Sequence, residues 1–373
     1  TSGSAIISLP MTIQEFRNEG LALLLRGAER ENCGIAVHYS LDSVKGHWIT
    51  DGHIAPNDLS SGDETSAHLK RFHANRQAWL LALEDAGYQH DLLSTEQIEA
   101  GKLAGYRVLV LPDSIALSDL ETSAIREFVE QGGLLITDAE SGLMNGHGRW
   151  QTAGRIDDVL GVQRVNIRSA PAEGPPAKFR VALSDGPVEL EVAPADPDLR
   201  LTTAHPGAAA SGTLFLMDNR YGSGRAITLN FWMTDYERIR KSNAQSARLN
   251  LLRDYLSLAG IRPVADIRRA SGGTLACSQV IAFRKGVAKY LAVLPEPECS
   301  DEGLVTVNLA EPRHVYDLRA HRSLGRVTRV TGQLTAGEPL LFAFLAAPVG
   351  RVWIIPADNN ASSVRIKAGE TAR

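Results

Sequence analysis

The chain is 373 residues long, enough for two or three domains with their own cores, and its 44% hydrophobic and 22% charged residues exclude a disordered or fibrous protein. With 39 basic against 43 acidic residues, a net charge of −4 and no Lys/Arg block interleaved with aromatics, no nucleic-acid partner is expected. The longest apolar runs, among them "YRVLVLP" and "LLFAFLAAPVG", fall far short of the roughly 20 residues a spanning helix needs, so no membrane partner is expected either.

The opening "TSGSAIISLPM" lacks an initiator Met and a charged-then-apolar leader, as in a piece of something longer. "CGIAVHYS" (33–40) and "RVLVLPD" (107–113) read as buried strands of a parallel sheet. Between them Leu69, Phe72, Arg76, Trp79, Leu80 and Leu83 recur at three- and four-residue spacing, one of them polar, and Gly87 follows where a helix would stop. "YQHDLLS" (88–94) is a short strand. "SDLETSAIREFVEQGG" (118–133) is a helix with a Ser118/Glu121 capping box, a stripe of Leu120, Ile125, Phe128 and Val129, and Gly132 or Gly133 as its stop. The strand at 134–137 follows. This order indicates a doubly wound α/β domain with right-handed crossovers.

After residue 150 the period changes. "KFRVALSDGPVELEVA" (178–193) alternates around Asp185 and Gly186 as a hairpin insertion, placed at about 160–210. "GTLFLMDNRYGSGRAITLNFW" (212–232) gives two strands about a Gly-rich turn, and 242–263 a last helix stopped by Gly260. From about residue 263 short alternating runs such as "KYLAVLP", "GLVTVNLA" and "RVWIIPA" predict a small antiparallel β-sandwich, with a polar tail from residue 358 expected to be loose.

The runs "CGIAVHYS", "LEDAGYQHDLLS", "GYRVLVLPDSIALSDLETSAIREFVEQGGLLITDAESG" and "GSGRAITLNFWMTDYERIRKSNAQSARLNLLRDYLSLAGIRP" resemble the trimerisation domain of β-galactosidase-like glycoside hydrolases of family 42. The resemblance implies a flavodoxin- or glutamine-amidotransferase-like α/β fold over 33–262, a small β-domain over 263–373, and, at 1–32, the last helix and exit linker of a catalytic (β/α)8 barrel that lies upstream. It implies self-association as a homotrimer, with the barrel as a further partner. The family's two catalytic carboxylates sit after barrel strands and have no matching position here, so the chain alone is expected to be inactive. The insertion "KGHWITDGHIAPNDLSSGDETSAHLK" departs from shorter members of the family. Its segment 51–64 is expected to be a mobile lid, binding loop or interface.

Chemistry is expected in "DAESGLMNGHGRW" (138–150), beyond the carboxyl end of a strand. An amidotransferase needs a thiolate on the sharp turn there. The chain has Asp138, Ala139, Glu140 and Ser141 instead, "DAESG" lacks the GxSxG spacing of a hydrolase elbow, and Cys33 precedes the first strand. Asp138, Glu140, His147 and Arg149, near Asp42 and Asp113, are the candidate polar ligand-binding residues, against the plainer reading of strand-end polar groups that cap helices. Trp48, Trp150 and Trp232 fall beyond predicted strand ends; they are candidate sugar platforms, with burial against loops or another domain favoured. "RYGSGR" is a plain turn without a phosphate-cradle spacing. Ten histidines show no HExxH and no tight cluster, and Cys33, Cys277 and Cys299 show no CxxC, so neither a metal, a cofactor nor a disulfide framework is expected. The alternative function is a freestanding small-molecule hydrolase or carbohydrate-binding protein that uses the carboxyl edge of the sheet.

Overall fold

The computed structural model describes residues 14, 17, 18, 20–50, 67–165, 174–242, 245–270, 275–296, 303–335, 337–350, 352–356 and 364–368. The chain divides into two units: Glu31–Val264 with Gly272–Val280, and Thr1–Arg30 with Ala265–Ser271 and Ile281–Arg373.

The first unit is built on a seven-stranded sheet. Its strands are β1 (Ile35–Tyr39), β2 (Asp91–Ser94), β3 (Val108–Leu111), β4 (Leu134–Thr137), β7 (His205–Ala210), β8 (Thr213–Tyr221) and β9 (Gly224–Leu229), in the spatial order β7-β8-β9-β4-β3-β1-β2. From β2 to β9 neighbours run parallel, and β8 and β7 add antiparallel at one edge. Alternate residues feed two cores: Ile35, Val37, Val108, Val110, Leu134 and Ile136 enter one, Ala36, Leu109, Leu111 and Leu135 the other. A strand covered on both faces has no polar side to show, which is why "VLVL" and "LLIT" read as unbroken apolar runs.

Helix α2 (Ala67–Asp85) covers the first face with Phe72, Asn75, Ala78, Trp79, Ala82 and Leu83 buried at helical spacing. The polar member of that stripe is Asn75; Arg76 is half-buried beside it. Gly87 takes φ 85 just beyond the helix, a left-handed conformation glycine adopts without steric cost. Helix α3 (Asp119–Glu130) packs Ile125, Phe128 and Val129 on the second face and carries the Ser118/Glu121 capping box in full. Leu120 is 63% exposed, against expectation, because it lies roughly 140° around the helix from Ile125.

Several elements escaped the sequence, and two of them matter for the site and the sheet. Residues Leu41–Thr50 form helix α1, whose Gly46 lies so close to the loops that a Cβ there would stand 3.1 Å from Ile115 Cγ2 and 3.2 Å from Met144 Sδ. A mid-helix glycine weakens the local helical signal while permitting that approach. Strand β7, "HPGAAA", has no alternation and sits at the sheet edge with two register shifts against β8. The predicted hairpin is β5 (Ala177–Val181) with β6 (Val188–Val192), turning at Gly186 and burying Phe179, Val181, Leu190 and Val192. Helix α4 (Gln245–Leu258) adds Leu249, Leu252 and Leu256 to the same core. The 51–64 segment lies outside the described residues.

The second unit is β-rich. One seven-stranded sheet has the order Glu29–Arg30, β11 (Ser278–Lys285), β12 (Ala288–Pro295), β15 (Leu340–Leu345), β13 (Gly303–Asp317), β10 (Asp266–Arg269), with β14 (Arg322–Leu334) paired to β13. Antiparallel pairing joins β12 to β15, β15 to β13, and β13 to both β14 and β10. Glu29–Arg30, in the stretch expected to be a linker, pairs with β11, and Leu21 packs with Ala292 and Leu341. In the tail, Val364–Ala368 pairs antiparallel with Val352–Pro356. Cys277 is disulfide-bonded, contrary to expectation. Among the described residues no helix is long and apolar enough to cross a membrane.

Candidate functional site

Parallel strands β1, β3 and β4 deliver their last residues to one edge of the sheet, where polar groups beyond the strand ends meet. The chain turns sharply after β3: Asp113 has φ 48, a left-handed conformation uncommon outside glycine. The strained turn is therefore on β3, and the 138–141 stretch after β4 contains no positive φ until Gly142. Asp138 Oδ1 accepts the Asp113 backbone N–H at 2.6 Å and fixes that turn. Its Oδ2 accepts Asn75 Nδ2 at 2.6 Å and Trp79 Nε1 at 2.8 Å, so the polar residue on the buried stripe of α2 is explained by Asp138.

Glu140 Oε2 accepts Arg71 Nη2 at 2.5 Å, and the same guanidinium lies 4.0 Å from the centroid of the Trp232 ring. Arg71 Nε stands 3.8 Å from Asp113 Oδ2. His47, on α1, places Nε2 at 3.1 Å from the Asp113 carbonyl oxygen and 3.5 Å from Asp113 Oδ2. All these groups except Arg71 are buried. Four atoms of the three residues His47, Asp113 and Glu140 have no hydrogen-bond partner: His47 Nδ1, both Asp113 carboxylate oxygens and Glu140 Oε1.

The electrostatics follow from burial. Loss of water pushes Asp113 up to about 6 although Arg71 opposes it. Burial, then the Asp113 charge, push Asp138 up to about 7. Burial likewise raises Glu140 and drives His47 down to about 4, so the imidazole is neutral near pH 7. A carbonyl only accepts, so the neutral ring carries its proton on Nε2 and its lone pair on Nδ1.

A second network adjoins this one. His38 Nε2 lies 2.8 Å from Glu121 Oε1 and Nδ1 3.0 Å from Ser114 Oγ, while Glu121 Oε2 accepts the Ser118 N–H at 2.7 Å. The connectivity is that of a Ser-His-carboxylate relay. All three side chains are nevertheless buried, and a nucleophile without access to substrate performs no transfer; the network ties α3 to β1 and the turn after β3.

The structure separates the sequence-predicted residues into two sets. Asp138, Glu140 and Trp232 join the buried cluster, together with Asp113. His147 and Arg149 are exposed on a turn organised by Asn145 Oδ1, which accepts both of their backbone N–H groups at 3.0 Å. That turn lies against α1, with Gly146 beside Asp42 and Gly148 beside Ile49. Trp150 packs in part on Ile115, Leu143 and Met144. Trp48 is in helix α1 rather than in a loop and is 46% exposed; Trp232 is buried at 7%. Sequence reasoning missed Arg71, His47 and Asn75.

These features define an α/β unit with a polar cluster at the carboxyl edge of a largely parallel sheet, followed by a β-rich unit. The beta-galactosidase trimerisation domain family matches residues 55–262, and the chain belongs to that family. Similar solved structures include the beta-galactosidase from Bacillus circulans sp. alkalophilus (18% identity, TM-score 0.57, covering 85% of this chain and 42% of that one). Others are the beta-galactosidase from Rahnella sp. R3 (15%, 0.58, 84% and 41%) and a catalytic mutant of Gan42B, a GH42 beta-galactosidase from G. stearothermophilus (14%, 0.58, 85% and 40%). The chain thus spans about two-fifths of the length of these proteins, and at such identities the likeness is one of fold.

Proposed function

We propose that this chain is the accessory, oligomer-forming region of a β-galactosidase-like glycoside hydrolase, assembling as a homotrimer beside an upstream catalytic barrel. The observation that carries the reading is the trimerisation-domain match across 55–262. In this reading residues 33–262 are a doubly wound, amidotransferase-like domain with a hairpin insertion, 263–373 are a β-sandwich, and 1–32 lead in from the barrel. The parallel order β2-β1-β3-β4-β9, which is the 2-1-3-4-5 pattern of doubly wound folds, supports the first assignment. Catalytic silence is supported by the turns themselves: Asp113 occupies the strained turn after β3, Asp138 follows β4, and Cys33 lies at the amino end of β1.

Assembly needs an exposed apolar surface, and α1 offers Leu41 (54% exposed) and Trp48 (46%) two turns apart on one face. Light scattering after size exclusion, over a dilution series, should give a trimer whose population falls on dilution, and Trp48→Asp should shift the chain toward monomer. A monomer at every concentration, unchanged by Trp48→Asp, would overturn the assignment.

A further inference from the structure

We infer that His47, Asp113 and Glu140 form a binding site for one divalent transition-metal ion. The three residues come from α1, the turn after β3 and the turn after β4, so the parallel sheet fixes two of them and the helix packed on its loops supplies the third. A ring nitrogen of His47 and one carboxylate oxygen each of Asp113 and Glu140 lie within 4.8 Å of one another. Atoms so disposed surround a common point at about 2.8 Å or less, from which a small contraction reaches the roughly 2.0–2.2 Å bonds of a zinc site.

The second observation is independent of that spacing. His47 Nδ1, Asp113 Oδ1 and Oδ2, and Glu140 Oε1 are buried with no hydrogen-bond partner. Buried polar groups are almost always paired, because a bare one loses its hydration and receives nothing in exchange. Four such atoms on three neighbouring residues mark a place where a further group belongs. These four atoms are electron-pair donors that one cation can satisfy together; two N–H donors of the same cluster, Arg71 Nε and Trp232 Nε1, are also without a partner and lie outside its shell.

The surroundings are those of a metal site's outer shell. Arg71 holds Glu140 Oε2 and leaves Oε1 uncommitted; Asp138 anchors the Asp113 backbone N–H and is itself held by Asn75 and Trp79. The Asp113 carbonyl accepts from His47 Nε2 and orients the imidazole. Charge points the same way. Asp113, Asp138 and Glu140 are buried carboxylates, with the Arg71 guanidinium beside Asp113 and Glu140 and His68 as a further ionisable neighbour of those two. A dication balances the negative charge of buried carboxylates. One imidazole and two carboxylates suit a borderline ion such as Zn²⁺ or Co²⁺, whereas Ca²⁺ and Mg²⁺ take shells of oxygen alone.

The test uses the whole 373-residue chain, stripped by chelator and dialysed. Calorimetric titration with Zn²⁺ should show one saturable equivalent, accompanied by a rise in thermal midpoint that Mg²⁺ and Ca²⁺ do not produce at equal concentration. His47→Gln and Glu140→Gln should each weaken Zn²⁺ binding by at least about tenfold. His147→Ala, on the exposed turn, should change nothing. Titration of the unsubstituted chain with Co²⁺ gives a readout that does not depend on any variant folding: a visible absorption band growing to one equivalent is expected and should be removed by Zn²⁺. Failure of both metals to saturate near one equivalent, a Zn²⁺ affinity the two Gln variants leave untouched, or equal midpoint shifts from Mg²⁺ would each overturn the assignment.

Discussion

Two buried aspartates in the α/β unit have opposite surroundings. Asp85, at the end of α2, has four donors: Arg240 Nη2 at 2.7 Å and the Cys277 N–H at 2.8 Å on Oδ1, Tyr236 Oη at 2.8 Å and Arg240 Nε at 2.9 Å on Oδ2. Asp113 has none on its carboxylate, and its cationic neighbour Arg71 stays 3.8 Å away. Burial penalises both charges; four hydrogen bonds and a close counter-charge offset the penalty at Asp85, whereas at Asp113 Arg71 opposes it from 3.8 Å. The difference separates a structural tie, complete within the protein, from a group whose partners the protein does not itself supply. Asp138 stands between them, fully hydrogen-bonded yet crowded by a like charge.

The comparison breaks most readily at Asp85. Replacing it with Ala takes two charge-assisted bonds from a buried guanidinium and one each from Tyr236 and the Cys277 amide, and removal of one member of a buried pair costs about 3–5 kcal/mol. Urea unfolding monitored by Trp fluorescence should show a midpoint lowered to match. A loss below about 1 kcal/mol would mean that four donors are worth no more than none, and the contrast would be empty.

A second, smaller effect comes from Glu121. Burial pushes its carboxyl up, but hydrogen bonding and charge from His38 and the bond from the Ser118 amide prevail and hold it below its ordinary value. A lowered folded value means that the ionised form is stabilised in the native state. That stability is fully present above the unfolded value near 4.5 and is lost as pH falls through the folded one. Glu121→Gln should therefore cost about 1.5–3 kcal/mol near neutrality, and the gap to the unsubstituted chain should close in acid. Chemical denaturation at a series of pH values reads this directly; a gap that widens below roughly pH 4 would reverse the assigned sign.

Much of the fold was legible in the sequence because its signals are local. β3, β4 and the 245–258 helix announce themselves by apolar runs or helical spacing, and α3 by a capping box whose partners are three residues apart. α1 and β7 were not legible, since a glycine interrupts one and the other has neither alternation nor bulk. The site divides the same way. Asp138 and Glu140 follow a strand end and could be named from position, and Asp113 was placed nearby. His47 is 66 residues from Asp113 and Arg71 is 69 from Glu140, so no spacing motif could link them. One usable clue was passed over: Asn75 occupies a buried-stripe position of α2, where a polar residue needs a buried partner.

The smallest expected effect sharpens the comparison most. Asp113→Asn retains the side-chain shape and suits the φ 48 backbone, since Asn is among the residues that best tolerate left-handed geometry. The substitution removes a buried carboxylate that makes no hydrogen bond, and Arg71 keeps its 2.5 Å contact with Glu140. Relief of repulsion toward Asp138 and Glu140 works against the lost 3.8 Å attraction to Arg71. In chelator-treated protein the two should nearly cancel, giving a stability within about 1 kcal/mol of the unsubstituted chain or slightly above it. With Zn²⁺ present the order should invert, because only the chain with Asp113 gains from ligation. Paired urea curves with and without Zn²⁺ measure both halves. A metal-free loss above about 2 kcal/mol would show that the Asp113 carboxylate is a structural tie after all, and that its difference from Asp85 is one of degree.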